Sequence, residues 1–316
     1  MATQEIAWPR KRREILNSVL DSRRWNDFEF RRDDIVIASW AKSGTTLTQQ
    51  IVAQLIFNGA EDVYGQQHSP WIDFQAARAD QILAAASAQT HRRFLKTHLP
   101  IDALVFSPHA KYIYVGRDAR DVAWSIHHHH SILSETIYAI LNPPHRTWAE
   151  FPRHDPDIRR AYHAWLDGDG YPWHPFWSHV QGWWGIRSLP NVKLLHFNGL
   201  RSDLAACVRE IAQFLDIAID EAKFPRILAH CDIEYMRRAA ARYDFLNVLF
   251  VGGGASFIYK GTNGRWRDIL STAEIAKADL LAAKNLTPDC AHWLKTGELR
   301  GASSSPPTQL GTRVPV

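Results

Sequence analysis

The sequence predicts an α/β fold in a single domain, with a central parallel sheet flanked by helices. Short, continuous apolar runs are typical of strands that are covered on both faces of such a sheet. Most of these runs precede stretches whose apolar residues recur at helical spacing, and strands that alternate with helices predict a layered parallel sheet. With 316 residues, of which 46% are hydrophobic, the chain is long enough to bury a large core.

The strand candidates are recognised as apolar runs, and the helices after them from apolar residues three and four positions apart. In the first helix this spacing starts at Leu47 and stops at Gly59, a residue type that commonly ends helices. The predicted strands are residues 35–38, 94–95, 112–115 and 192–197, and helices are expected over residues 47–59, 119–132 and 204–215.

One domain is predicted to cover residues 1–299, and residues 300–316, rich in serine and proline, are predicted to be a disordered C-terminal tail. No apolar run approaches the roughly 20 residues that cross a bilayer, which favours a cytoplasmic protein without stable membrane insertion. The net charge of +4 suits a small polyanionic ligand and argues against a nucleic-acid partner. The three scattered cysteines indicate neither a disulfide framework nor a thiolate metal site.

The loop after the first strand, Trp40-Ala-Lys-Ser-Gly-Thr-Thr46, has the composition of an anion site. Backbone N–H groups and the positive end of a helix converge there, the glycine lets the backbone close around a ligand, and the threonines supply hydroxyl donors. The lysine precedes the Ser-Gly pair, so the loop is not a Walker A motif. An ordinary helix cap beside an exposed lysine is the alternative. The candidate ligands are Lys42, Ser43, Gly44, Thr45 and Thr46.

A second candidate element, Lys96-Thr-His-Leu-Pro100, follows directly on the second strand, where a parallel sheet presents side chains to a ligand. His98 can accept a proton from a hydroxyl, and Lys96, two residues earlier in an extended segment, points to the same side. A base and a cation are therefore expected in one pocket. The alternative is an ordinary pair of surface residues.

Together with two later segments, these motifs resemble the cytosolic sulfotransferase family, whose members transfer a sulfuryl group from 3′-phosphoadenosine-5′-phosphosulfate (PAPS) to a hydroxyl or an amine. Residues 40–47 resemble the family's P-loop-like phosphosulfate-binding loop, and residues 96–100 the segment with the catalytic histidine. Arg117-Asp-Ala-Arg-Asp-Val-Ala-Trp-Ser125 is similar to the 3′-phosphate segment, and Lys260-Gly-Thr-Asn-Gly264 to the late loop that closes over that phosphate. The segments stand in the family's order over about residues 25–270.

The resemblance implies PAPS as co-substrate, PAP as product and an in-line displacement that requires no metal. It implies that His98 is the general base, that Lys42 stabilises charge on the 5′-phosphate and that Lys96 neutralises the sulfuryl oxygens. The residues that it implies for the 3′-phosphate are Arg117, Ser125, Lys260 and Gly261.

The sequence departs from the family's pattern at positions expected to contact the nucleotide. Leu47 stands where a tryptophan commonly stacks on adenine, and Ile233 where a phenylalanine would be its other neighbour. Tyr259 replaces an arginine that usually precedes the Lys-Gly pair, and Arg265 is a candidate substitute for it. The way in which adenine is held is left open by these residues.

The acceptor site is expected to have apolar walls. Residues 148–184 are dense in aromatic rings and poorly periodic, so they are expected to wrap the sheet, and some of these rings are candidates for the wall. The other candidates are Tyr243, Phe245, Leu249 and Phe250, which favour a small apolar or aromatic alcohol, phenol or amine. Residues 252–254, three glycines, are interpreted either as the hinge of a lid or as a flexible loop. The acceptor's identity and the oligomeric state are not indicated.

The run of four histidines, residues 127–130, lies inside a predicted helix, where consecutive side chains point in different directions. Only His127 and His130 share a face, and neither has a cysteine or carboxylate at ligand spacing. Histidines on the helix surface or at the rim of a pocket are therefore favoured over a metal site.

Two other functions stay open from the residues alone. A P-loop-type ATP-dependent kinase shares the architecture but needs a Walker A loop and an acidic magnesium ligand, for which Asp118 is the candidate. A catalytically inactive nucleotide-binding scaffold is the other alternative, and the joint presence of Lys42, Lys96 and His98 argues against it.

Overall fold

The computed structural model describes residues 6–299, so the predicted C-terminal tail lies outside the described residues. Four parallel strands form the central sheet in the order β2-β1-β3-β4. The predicted α/β fold with a parallel sheet is confirmed, and the second strand is longer than its two predicted residues. The strands are β1 Ile35–Ser39, β2 Phe94–Thr97, β3 Lys111–Gly116 and β4 Val192–His196.

Fourteen α-helices surround the sheet in the described part of the chain, and the three that the sequence predicts are present as α1, α3 and α8. The helices are α1 Thr45–Ile56, α2 Ala79–Ser87, α3 Ala119–Ser131, α4 Glu135–Leu141, α5 Ile158–Asp167, α6 Phe176–Gly185, α7 Phe197–Ser202, α8 Leu204–Phe214, α9 Phe224–His230, α10 Ile233–Ala241, α11 Asp244–Leu249, α12 Gly253–Phe257, α13 Thr272–Asn285 and α14 Pro288–Thr296. Within residues 6–299, none of these helices combines the length and apolarity needed to span a bilayer.

The register of the sheet aligns the carboxyl ends of its strands. Ala38 of β1 lies beside Thr97 of β2, and Ser39 lies beside Val115 of β3. The loops that leave these strands therefore start at one edge of the sheet, which is where parallel sheets bind their ligands. The candidate anion loop, His98 and Arg117 follow β1, β2 and β3 at this edge.

The two faces of the sheet belong to separate apolar clusters because side chains alternate along each strand. Ile35 and Ile37 contribute to one cluster, with α1, α8 and α9, while Val36 and Ala38 contribute to the other. The aromatic segment covers this second face. This segment is more regular than predicted, because the two ten-residue helices α5 and α6 lie almost entirely within it. Most of its rings are buried in the core.

The three glycines at residues 252–254 serve a close helix contact at the start of α12, so the interpretation as a flexible loop is wrong, and that as the hinge of a lid stays a prediction. A Cβ atom on Gly254 would lie 1.9 Å from the carbonyl oxygen of Ala240 in α10. Glycine at this position therefore lets the short helix α12 pack directly against α10, and φ angles of 81° at Gly252 and 69° at Gly253 turn the chain into that helix.

At the opposite edge of the sheet, a buried ion pair joins the residues directly before β1 and β2. The Arg93 guanidinium donates to the Asp34 carboxylate at 2.5 Å, with side-chain exposures of 2% and 0%. Asp34 also accepts the backbone N–H of Arg31 at 2.8 Å. A charge pair with this little solvent is costly to break on one side only.

Candidate active site

A cavity of about 520 Å³ lies at the carboxyl edge of the sheet and brings together all four sequence segments singled out above. Ser43 is the one predicted site residue that does not line it. Its side chain is 1% exposed, and its N–H donates to the Trp40 carbonyl at 3.3 Å within the loop's own turn. The predicted residues that do line the cavity are Lys42, Gly44, Thr45, Thr46, Lys96, His98, Arg117, Ser125, Lys260 and Gly261.

The charge of the cavity has one sign. Among the described residues that line it there is no aspartate or glutamate, and the lysines and arginines are Lys42, Arg78, Lys96, Arg117, Arg201, Lys260 and Arg265. Such an excess of cations in a concave site attracts an anionic ligand and raises its local concentration.

The loop between β1 and α1 forms the first anion-binding cluster. Thr48 donates the first intrahelical bond, to the Gly44 carbonyl at 3.1 Å. The N–H groups of Thr45 and Thr46 therefore have no partner within the helix and can donate to a ligand. Gly44 has a φ of 123°, and a Cβ there would lie 2.9 Å from the Phe197 ring. The loop needs glycine both for its backbone angle and for its close contact.

Two ammonium groups of the cavity pack against aromatic rings. The Lys42 Nζ lies 4.3 Å from the Phe257 ring centroid, and the Lys96 Nζ lies 3.8 Å from that of Trp71. Burial lowers the pKa of Lys42 to about 7, with repulsion from Lys96 as the next cause. Burial likewise lowers the pKa of Lys96 to about 8. An anion bound between them would restore both charges.

His98 has the geometry of a base whose second nitrogen is available. Its Nδ1 lies 2.7 Å from the Ser39 carbonyl oxygen, which can only accept, so Nδ1 carries the proton and Nε2 keeps its lone pair. The ring is 4% exposed and stands nearly perpendicular to Trp71 and Trp173, at 5.0 and 5.8 Å between centroids. Burial, followed by repulsion from Lys96, holds the pKa of His98 well below its usual range.

Asp73 supports this arrangement, and the sequence analysis missed it. Its buried carboxylate accepts from the indole N–H groups of Trp25 at 3.0 Å and Trp71 at 2.9 Å, and from the backbone N–H of His98 at 3.2 Å. It therefore fixes both the ring beneath Lys96 and the chain that carries the imidazole. An acidic residue within the apolar stretch Trp71-Ile-Asp-Phe74 was the available signal, since unpaired carboxylates rarely lie in such surroundings.

Arg117 is the centre of a second anion-binding cluster and joins it to the first. Its Nη1 donates to the Lys42 carbonyl at 2.9 Å, its Nη2 to the Thr262 carbonyl at 3.0 Å and its Nε to the Asn263 side chain at 2.9 Å. Further N–H groups of the guanidinium remain for a ligand. Burial lowers the pKa of Arg117 to about 10, so it stays charged near neutral pH. Asp121 accepts the Gly264 N–H at 2.7 Å and fastens the same late loop.

Asp118 does not reach the cavity. Its carboxylate caps α3 by accepting the Arg120 N–H at 2.8 Å, and it pairs with the Arg120 guanidinium at 2.5 Å. The acidic ligand that the kinase alternative requires is therefore committed to a structural ion pair.

The other end of the cavity is apolar, and its walls differ from those predicted. From the aromatic segment, only Phe151 and Trp173 line the cavity, because the remaining rings pack in the core or face solvent. The four other residues predicted for the wall all line the cavity, as expected: Tyr243, Phe245, Leu249 and Phe250. The larger contribution comes from the chain between β1 and β2 and from α4 and α11, with Trp71, Phe74, Ile82, Leu133, Ile137, Leu141, Tyr243, Phe245, Leu246, Leu249 and Phe250.

The four histidines divide between two environments. His128 and His129 line the cavity, which agrees with their interpretation as pocket-rim residues. His127 contacts the Asp155 carbonyl at 3.0 Å, and the His130 Nε2 accepts the Trp173 indole N–H at 3.3 Å. Across residues 6–299, no group of three or more histidine, cysteine or acidic side chains is arranged to hold a metal ion.

Comparisons with known proteins match this chain over most of its length. A family model described as "Sulfotransferase domain" matches residues 32–288. A glycolipid sulfotransferase of Mycobacterium bovis (strain BCG / Pasteur 1173P2) is 29% identical over 302 residues, which cover 88% of this chain and 92% of the relative. The luciferin sulfotransferase of Photinus pyralis is 27% identical over 292 residues, covering 82% and 73%.

Solved structures share the fold. Retinol dehydratase in complex with androsterone and the inactive cofactor PAP superposes with a TM-score of 0.66 at 23% identity and covers 84% of each chain. A mouse sulfotransferase complexed with PAP gives a TM-score of 0.64 at 20% identity, covering 85% of this chain and 90% of the other.

Proposed function

Since the chain belongs to the sulfotransferase family, we propose that it transfers a sulfuryl group from PAPS to the hydroxyl or amine of an apolar acceptor. The observation that carries the proposal is the arrangement of Lys42, Lys96 and the Nε2 lone pair of His98 around one cavity. Two cations without a carboxylate partner and one neutral base are what a group transfer between an anionic donor and a neutral nucleophile requires.

The residues present fit PAPS as the donor. The cluster at the start of α1 offers backbone N–H groups and Lys42 to the phosphosulfate, and the cluster around Arg117 offers cations to the 3′-phosphate. Ser125, Lys260 and Gly261 belong to the second cluster, whereas Ser43 contributes to the first only through the shape of the turn. The Arg265 Nε is buried without a hydrogen-bond partner in the protein, so its N–H can donate to a phosphate.

The chemistry follows from these positions. The Nε2 atom of His98 takes the proton of the acceptor's hydroxyl while the acceptor's oxygen bonds to sulfur and the bond from sulfur to the phosphate oxygen breaks. Lys42 stabilises the negative charge that develops on the departing oxygen, and Lys96 stabilises the sulfuryl oxygens. Before ligands bind, burial in the first place, and then repulsion from these two ammonium groups, hold the pKa of His98 down. An anionic donor offsets their repulsion, so donor binding raises the pKa of the base and readies it for the proton.

The apolar end of the cavity favours an acceptor with a hydrocarbon body. Phe74, Ile137 and Phe250 are among residues from several elements that line this end, and its described lining has no acidic group that would pair with a cationic acceptor. A hydroxyl at one end of such a body would reach His98, while burial of the remainder supplies the binding energy.

An acceptor screen with labelled PAPS tests the proposal. His98→Ala is expected to lower turnover by about 10²- to 10⁴-fold and to leave the dissociation constant for PAP within a factor of about three, since His98 acts on the acceptor. His109→Ala is the matched control, because His109 is exposed and lies outside the cavity. Undiminished turnover in His98→Ala would remove the base. Thermal stabilisation by ATP with magnesium but not by PAPS would favour a kinase, and PAPS binding without any sulfated product would favour a scaffold.

A further inference from the structure

Three side chains meet at the basic end of the cavity and form what we call the Tyr259 cluster: His128, Tyr259 and Arg265. The His128 and Tyr259 rings are stacked, with centroids 3.6 Å apart and planes inclined by 17°. The Arg265 guanidinium carbon lies 5.1 Å from the Tyr259 ring centroid. His128 is held from behind, because its Nε2 lies 3.5 Å from the Ser256 carbonyl. The tyrosine ring is therefore fixed by α3 and in turn contacts the arginine.

Arg265 has hydrogen-bonding capacity that the protein does not use. Its Nε is buried and has no hydrogen-bond partner, although Tyr259 and Asp121 are near enough to favour the charged form of the guanidinium. Burial lowers the pKa of Arg265, but an arginine remains protonated near neutral pH. A desolvated guanidinium N–H without an acceptor is unfavourable until a ligand supplies one.

The positive charges of Arg265 and Arg117 lie in the same region of the cavity. Arg265 lowers the pKa of both Arg117 and Lys42 by repulsion, so the three cations share one region of the cavity. Between Tyr259 and Arg265, the late loop lines the cavity with Lys260, Gly261 and Thr262. Two guanidinium groups and an ammonium in one place match a doubly charged phosphate monoester, for which arginine is the preferred ligand.

We propose that Arg265 is the second guanidinium ligand of the donor's 3′-phosphate and that Tyr259 is its positioning residue. The inference rests on the proposed function. On this view Tyr259 is not a lost phosphate ligand. Its ring restricts the side chain of Arg265 by stacking, which lowers the conformational entropy lost when the phosphate binds. The guanidinium that would otherwise come from position 259 comes from position 265.

Titration calorimetry with two nucleotides tests this on the full chain: PAP, and 5′-AMP, which lacks the 3′-phosphate. Arg265→Met is expected to weaken PAP binding about 10- to 100-fold and to change 5′-AMP binding by less than about twofold. Arg267→Met is the matched control, because Arg267 lies over Trp266 at 5.1 Å and does not line the cavity. It should leave both affinities unchanged. Arg265→Gln serves the same purpose if the methionine variant does not fold.

The positioning role of Tyr259 has its own readout. Tyr259→Phe keeps the ring and is expected to retain PAP affinity within about threefold, whereas Tyr259→Ala is expected to lose about five- to thirtyfold. In the Arg265→Met background, Tyr259→Ala should add little further loss, because the two residues act on one contact. A residue with only a structural role would instead give the same loss in both backgrounds.

The outcomes separate the inference from the proposed function. If Arg265→Met weakens PAP and 5′-AMP equally, or weakens neither, Arg265 is not a ligand of the 3′-phosphate, while the proposed function stands. If the two tyrosine losses add fully, Tyr259 is not the positioning residue. If the unaltered protein binds PAP no more tightly than 5′-AMP, the proposed function fails and the inference fails with it.

Discussion

Donor binding is expected to be accompanied by proton uptake, because the cavity holds two ammonium groups whose pKa values are lowered in the absence of an anion. The pKa of Lys42 is about 7 and that of Lys96 about 8, each lowered first by burial. A phosphosulfate between them favours their charged forms and raises both pKa values towards the ordinary lysine value of about 10.4. The protein must then take up protons wherever the free lysines are partly neutral.

The size of the effect follows from these two pKa values. At pH 8, Lys42 is about 90% neutral and Lys96 about half neutral, so binding takes up about 1.4 protons. At pH 7 the uptake falls to about 0.6 protons, because most of Lys96 is already charged. Between these two pH values the affinity for PAPS is expected to fall about tenfold as pH rises. The loss is steeper above pH 8, where both lysines are neutral in the free protein.

Calorimetry in buffers of different ionisation enthalpy measures the proton count directly. At pH 8, the slope of the observed binding enthalpy against the buffer's ionisation enthalpy should correspond to about 1.4 protons taken up. In Lys42→Met the slope should drop to about 0.5, which is the share of Lys96. A slope near zero, a release of protons, or an unchanged slope in Lys42→Met would refute the reasoning.

Two further predictions concern stability. Arg93→Met leaves the Asp34 carboxylate buried without its partner and is expected to cost about 3–5 kcal/mol in urea unfolding, whereas Arg153→Met, in an exposed pair, should give no measurable change. Gly254→Ala forces a methyl group against the Ala240 carbonyl and is expected to destabilise the fold by about 1–3 kcal/mol or more. Gly185→Ala is its control, since a Cβ there meets nothing within 4 Å; equal midpoints for these two variants would contradict the packing argument.

The central sheet could be predicted because its strands are buried on both faces, so their sequences are short apolar runs without alternation. β1 is fully buried along its five residues, and the predicted run of residues 35–38 falls short of it by one. The four site segments could be expected to meet for a related reason. Three of them begin where β1, β2 and β3 end, and parallel strands end at one edge.

The residues that form the walls of the cavity's apolar end could not be predicted from the sequence in the same way. The density of aromatic residues between positions 148 and 184 says that these residues are buried, but not on which side of a wall they lie. Trp183 packs on Tyr114 in the core with centroids 5.2 Å apart, whereas Trp173 borders the cavity. Asp73 was missed because two of its three donors, Trp25 and His98, are far from it along the chain. The packing of Gly254 against α10 could not be predicted, because a close approach between helices leaves no local pattern in the sequence.

Arg117 bonds to the carbonyl of Lys42 on one loop and to that of Thr262 on another. The rigid, planar guanidinium thus fixes the distance between the two anion-binding clusters before any nucleotide binds. The site is therefore expected to select adenine nucleotides by the distance between their phosphates as well as by their charge. The chain entropy needed to set that span is lost once, during folding, and is not subtracted from the affinity at every turnover.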